Sequence, residues 1–211
     1  MNTILLSSAY LAPVEYYTKL YAADRVLVER YDHYMKQTYR NRCVIVGANG
    51  TLALTIPTEK DDHPKVLMKD VRISDHGNWR HVHWNAMESA YRNSPFFEYY
   101  ADDFRCFYEK KYPFLWDFNQ ALCEVVCSLI DLHPKMAGTT DYQTELSDGV
   151  ADFRQLIHPK IDYKEADPSF HPLPYYQVFK EKFGFIPNLS IVDLLFNMGP
   201  ESLLVLRDSQ R

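Results

Sequence analysis

The segment from Glu29 to Arg42, E-R-Y-D-H-Y-M-K-Q-T-Y-R-N-R, concentrates the groups most able to do chemistry. It sets Lys36, Arg40 and Arg42 around Gln37, Tyr39 and Asn41. Guanidinium forks fit a phosphate or carboxylate, and tyrosine rings stack on a base or a sugar. The plainer alternative is a solvated loop, too polar for a core element, whose charges face water. A second concentration, Ser74 to Trp84, carries His76, His81 and His83. His-x-His chelates a metal on a strand, where both rings share a face. On a helix, residues two apart point roughly 200° apart. The pattern from Trp79 to Tyr91 is helical, so no metal ligand is assigned. His83 shares a face with Trp79 and Met87, which reads as a packed core histidine or as a general base, because imidazole titrates near neutrality.

These groups need elements to position them. Thr3 to Ser8 is a short apolar run, followed by a loop over Ala9 to Ala12. Pro13 then fits the first turn of a helix, whose face is Val14, Tyr17, Leu20 and Tyr21. Arg25 to Glu29 reads as a second strand, completing a β-α-β unit with parallel strands. Ligands gather beyond the carboxyl ends of such strands, which points to Ser7, Ser8 and Tyr10 after the first and to Glu29 at the end of the second. Cys43 to Val46 and Thr51 to Ile56 flank Gly47-Ala48-Asn49-Gly50, a hairpin signal. Glu59 to Lys65 reads as a charged surface loop and Val66 to Ile73 as a further strand. Asp75 or Asn78 is available to cap the helix that begins at Trp79. Further helices are predicted over Tyr99 to Tyr108, Phe114 to Leu132, Tyr175 to Phe183 and Asn188 to Met198. The stretch Gly138 to Pro174 is acidic and aperiodic, and is predicted to be a lid or insertion within one domain spanning 1–211. The predicted class is therefore α/β: an N-terminal β-α-β unit, a mixed sheet including a hairpin, and a predominantly helical C-terminal half.

Composition narrows the function. A formal charge of -5 argues against a nucleic-acid-coating protein. There is no apolar run of the ~20 residues that a spanning helix needs, and no signal-peptide pattern, so a cytoplasmic protein with reduced thiols is expected. Neither G-x-G-x-x-G nor G-x-x-x-x-G-K-[ST] occurs, and no G-x-S-x-G elbow surrounds Ser7 or Ser8. With only 7 glycines, any phosphate would have to be held by arginine and lysine side chains. No cofactor is expected. Asp193, three residues after Ser190, reads as its helix-start partner.

Several stretches together resemble the WbqC-like family, in particular its Bacteroidetes branch. L-L-S-S-A-Y-L-A-P-V-E-Y-Y (Leu5 to Tyr17) is similar in layout to the family's Q-P-x-Y-L-P-W-x-G-Y, with Tyr10, Leu11, Pro13 and Tyr16 in register and Ser-Ala in place of Gln-Pro. Asn41 and Arg42 resemble its N-R pair, Ile56-Pro57 its V-P, and Trp79, His83, Tyr91, Pro95 and Phe96 its W…H…Y…P-Y/F spacing. Leu189 to Asn197 resembles its closing L-S-I-I-D-L-L-F-N. The resemblance implies an enzyme that decorates a nucleotide- or lipid-linked sugar in O-antigen-like polysaccharide assembly, possible glycine transfer included. On that reading Tyr10, Lys36, Gln37, Tyr39, Asn41, Arg42 and Trp79 bind substrate, while His83 and Glu29 are catalytic. The partner is then a nucleotide-sugar or an activated acyl or aminoacyl donor, with a homo-oligomer possible. A non-catalytic scaffold for glycan enzymes and a metal-dependent hydrolase built on His76 to His83 are the alternatives.

Overall fold

The computed structural model describes residues 2–60, 65–147 and 149–210. Strand β1 (Thr3–Ser7) and strand β2 (Arg25–Glu29) pair in parallel, Ile4 beside Val26 and Ser7 beside Glu29, with helix α1 (Val14–Ala22) crossing between them. Ile4, Leu5 and Leu6 are all buried, the continuous apolar run expected of a parallel strand covered on both faces. Strands β3 (Arg42–Gly47) and β4 (Gly50–Thr55) form the expected hairpin, closed at Gly47–Gly50 around Ala48-Asn49. This hairpin stands as its own two-stranded sheet.

The helical half follows with α2 (Trp79–Tyr91), α3 (Phe97–Glu109) and α4 (Leu115–Leu129). Two short strands, β5 (Met136–Gly138) and β6 (Val150–Asp152), then return to the first sheet. Its order is β5-β2-β1-β6, parallel throughout. The stretch predicted to be a lid or insertion thus supplies an edge strand. Helices α5 (Tyr163–Ala166), α6 (Lys180–Phe183), α7 (Ile191–Met198) and α8 (Ser202–Asp208) complete the chain. Among the described residues, no helix is long and apolar enough to cross a membrane. The core is aromatic. Phe118 has Tyr10, Trp79, Phe107, Tyr108 and Tyr112 around it, while Phe196 gathers Tyr91, Phe97 and Phe104.

Some expectations need correction. Val66 to Ile73 is not a strand but a single tight turn, Met68–Asp70, between isolated bridges. Its amides are taken by the loop after β2, Met68 N–H donating to the Asp32 carbonyl and Lys69 N–H to that of Arg30. Within Tyr175 to Phe183 only the last four residues are helical, and Gly184, at φ +72, ends them. The last long helix begins at Ile191 rather than Asn188, because Asn188 is left-handed and Ser190 extended. Neither predicted cap serves α2: Asn78 is itself left-handed without a capping bond, and Asp75 instead pairs with Arg80 and Lys111. The charged loop Glu59 to Lys65 lies partly outside the described residues.

Candidate functional site

The carboxyl ends of the four parallel strands deliver Ser7, Glu29, Gly138 and Asp152 to one end of the sheet. There a buried polar network ties the loops together. Glu29 is fully buried; its Oε1 accepts from Thr139 Oγ1 at 2.7 Å and from the Tyr31 N–H at 2.9 Å. Its Oε2 accepts from Arg154 Nη1 at 3.1 Å. The same guanidinium reaches Asp152 at 2.7 Å and the Gln143 carbonyl at 3.0 Å. Ser7 Oγ donates to the Arg154 carbonyl and accepts from Arg40 Nη2, which also pairs with Asp32. Asn119 steadies the inner side, donating to Ser8 Oγ and the Arg40 carbonyl.

Above this network opens a groove of about 560 Å³, walled by the segments that follow β2 and β5, with Gln155 from beyond β6. Tyr31, Asp32 and His33 line one side, Thr140, Asp141 and Tyr142 another. Asp32 is the unusual member. Arg40 holds its Oδ2, whereas Oδ1 is buried with no hydrogen-bond partner. An orphaned buried polar atom costs on the order of 1–3 kcal/mol, and more when charged. Burial pushes the Asp32 carboxyl above its ordinary range despite the pull of Arg40. Such a carboxylate, anchored through one oxygen with the other unspent, suits a proton acceptor or an acceptor for a ligand hydroxyl or amine.

The residues singled out from sequence fall in other places. Tyr10, His83 and Trp79 do come together, but in the core: the Tyr10 hydroxyl lies 2.9 Å from His83 Nδ1 and 2.7 Å from the Tyr108 hydroxyl. The Trp79 ring meets His83 edge-on at 5.1 Å. The other His83 nitrogen donates to the Thr55 carbonyl, and burial pushes this imidazole down to about 4, so it is neutral and enclosed. Asn41 is buried, donating to the Ile56 carbonyl, and Arg42 donates to Thr55 Oγ1 at the base of the hairpin. Lys36 and Gln37 are exposed. Tyr39 borders a separate, nearly closed cleft of about 10 Å³ with Ser7, Ser8, Phe153 and Ile157. Of the residues that the sequence points to, Glu29, Ser7 and Arg40 sit in the network beneath the groove. The segment that holds them is also no solvated loop: Asp32, Thr38, Arg40 and Asn41 are buried, since internal pairing satisfies the charges that would otherwise need water. Asp193 is likewise not a capping partner. Ser190 Oγ donates to the Leu11 carbonyl, and buried Asp193 accepts from Tyr175 and Gln177.

The groove residues Asp32, Tyr31, Tyr142 and the underlying Arg154 were not picked out. Tyr31 and Asp32 follow Glu29 within three residues, so the strand-end rule carried slightly further would have reached them. Nothing local marks Arg154, because its role depends on β6 pairing with β1 across a long sequence gap. As for metals, His81 is exposed and bonded to Asn85, away from buried His83. Among the described residues, no group of three or more His, Cys, Asp or Glu could hold an ion.

A parallel sheet with a polar network at its strand ends and a groove above them defines an α/β protein. The model of the WbqC-like protein family matches residues 8–158, and the chain belongs to that family. It is 25% identical over 220 residues to Uncharacterized protein Rv1507c of Mycobacterium tuberculosis (strain ATCC 25618 / H37Rv), covering 94% of each chain. No solved structure matches.

Proposed function

We propose that the chain is a cytoplasmic transferase of surface-polysaccharide assembly, moving an acyl or aminoacyl group onto a nucleotide- or lipid-linked sugar. The observation that carries this reading is Asp32: a carboxylate anchored by Arg40, with an unspent oxygen, on the wall of a groove at the carboxyl ends of parallel strands. Family membership supports the sugar context. In the proposed step, the sugar's hydroxyl or amine attacks the carbonyl carbon of the activated donor while Asp32 Oδ1 takes its proton. The new O–C or N–C bond forms, the bond to the leaving group breaks, and the leaving group departs with its electron pair and regains the proton from Asp32. A carboxyl raised by burial is a better base than an ordinary one. Glu29 acts one layer below, holding Arg154 and the Tyr31 amide in place.

A thermal-shift screen of nucleotide-sugars, UDP-N-acetylglucosamine first, tests the reading. A ligand at a hundredfold excess over its Kd stabilises by about 2.7 kcal/mol, a shift of several degrees. Asp32→Asn is expected to lower transfer by roughly 10²–10⁴-fold. A panel in which nothing shifts the melting temperature defeats the proposal. A cellular phenotype untouched by Asp32→Asn favours a scaffold instead.

A further inference from the structure

The walls of the groove carry charge of one sign. Asp32 and Asp141 line it, and no Lys or Arg is among its described lining residues. Most cations behind the walls are already engaged, Arg40 by Asp32 itself. Arg154 lies over the Tyr142 ring at 5.0 Å and is bonded to Glu29 and Asp152. Arg30 lies over the Tyr31 ring at 5.7 Å, and Lys69, also over that ring, is paired with Asp70. A phosphate entering here would meet Asp32 and Asp141 with no cation in the described lining to receive it. The lining suits another chemistry. Two tyrosines backed by cations offer rigid platforms for the C–H face of a ring, and Tyr142 is 49% exposed. The unpartnered Oδ1 of Asp32, a residue only 6% exposed, is an independent sign of a missing donor.

We infer that this groove is the acceptor subsite of the proposed transferase and that it takes a sugar ring free of phosphate, an amino sugar best of all. The inference rests on the transferase reading and adds which part of the substrates the groove holds. A protonated or neutral amine donates to Asp32 Oδ1, and Asp141, exposed at the rim, attracts it. The phosphate-bearing portion of any donor then lies outside this lining.

The test measures binding of glucosamine, glucose and glucose 1-phosphate by saturation-transfer NMR titration at neutral pH, with UDP-N-acetylglucosamine measured in parallel. Glucosamine is expected to bind about tenfold more tightly than glucose, with glucose 1-phosphate weakest. Asp141→Asn should reduce the glucosamine preference severalfold, and Tyr142→Ala should weaken all three alike. Asp141→Asn leaves the buried Glu29 to Arg154 pair intact, and Tyr142→Ala removes the ring that Arg154 lies over but neither of its carboxylate partners. If glucose 1-phosphate binds as well as glucosamine, or if Asp141→Asn leaves the glucosamine preference at about tenfold, the inference is overturned. UDP-N-acetylglucosamine binding without any charge order among the monosaccharides removes the inference and leaves the transferase reading standing. Failure of all four ligands to bind removes both.

Discussion

Asp193 is fully buried on α7, and its visible partners are neutral: the Tyr175 hydroxyl at 2.7 Å and Gln177 Nε2 at 2.9 Å. Burial raises its carboxyl to about 6, with hydrogen bonding from Tyr175, Gln177 and Tyr91 opposing. Glu15, on α1, is raised to about 7 by burial in the same way, against the help of Asn188. A carboxyl whose folded value is raised binds its proton more tightly in the native state. Its stabilising contribution is therefore complete below the unfolded value and is lost as pH climbs through the folded one. The protein should lose stability between about pH 4 and pH 7. Asp193→Asn keeps an oxygen for Tyr175 and Gln177 and removes the buried charge, so it should stabilise by on the order of 2–3 kcal/mol at pH 8 and flatten part of that slope. Calorimetry of both proteins across this range checks the sign. The sequence showed Asp193 near a helix start, where a cap was the local explanation. Its real partners come from residues 175 and 177, which only the folded packing brings near.

At the level of elements, Gly199 has a larger role than ending α7. Its φ of +55 is left-handed, and a Cβ placed there would sit 2.6 Å from the Phe96 ring. Gly199→Ala combines backbone strain with overpacking and is expected to cost about 2–4 kcal/mol, read as a lower urea midpoint at unchanged slope. Phe96→Leu in the same chain should recover part of the loss. The elements easiest to read were those whose own side chains decide their fate: β1 with its apolar run, α1 after Pro13, the hairpin at Asn49-Gly50, and α2 with His83 turned inward. Elements decided by distant partners were hidden. Met68–Asp70 turns because the loop after β2 takes its amides, and β5 and β6 are three residues each, too short to show alternation. The same division governs the site. Glu29 could be found at a strand end, whereas Tyr142 and Arg154 arrive on segments that the parallel pairing alone positions.

For the molecule as a whole, the Arg154 to Glu29 contact joins the loop after β6 to the end of β2, across β1. Removing the guanidinium leaves a fully buried carboxylate without its cation, so Arg154→Gln should destabilise by about 3–5 kcal/mol. Adding Glu29→Gln should restore much of that loss, and a double-mutant cycle in urea measures how much.

The order β5-β2-β1-β6 also governs how the chain is made. Both outer strands come from residues 136–152, while the inner pair is finished by residue 29. About 120 residues must therefore be added before the inner strands are flanked, and at typical synthesis rates of 5–20 residues per second that takes roughly 6–25 s. Until β5 is made the emerging chain presents two bare strand edges, and until β6 is made one, rich in Ile, Leu and Val, that could pair with a neighbouring nascent copy. The hairpin, complete within fourteen residues, faces no such wait. Yield in the cell is thus tied to how well those edges are shielded on the ribosome, and slow translation between α2 and β5 would lengthen the exposure.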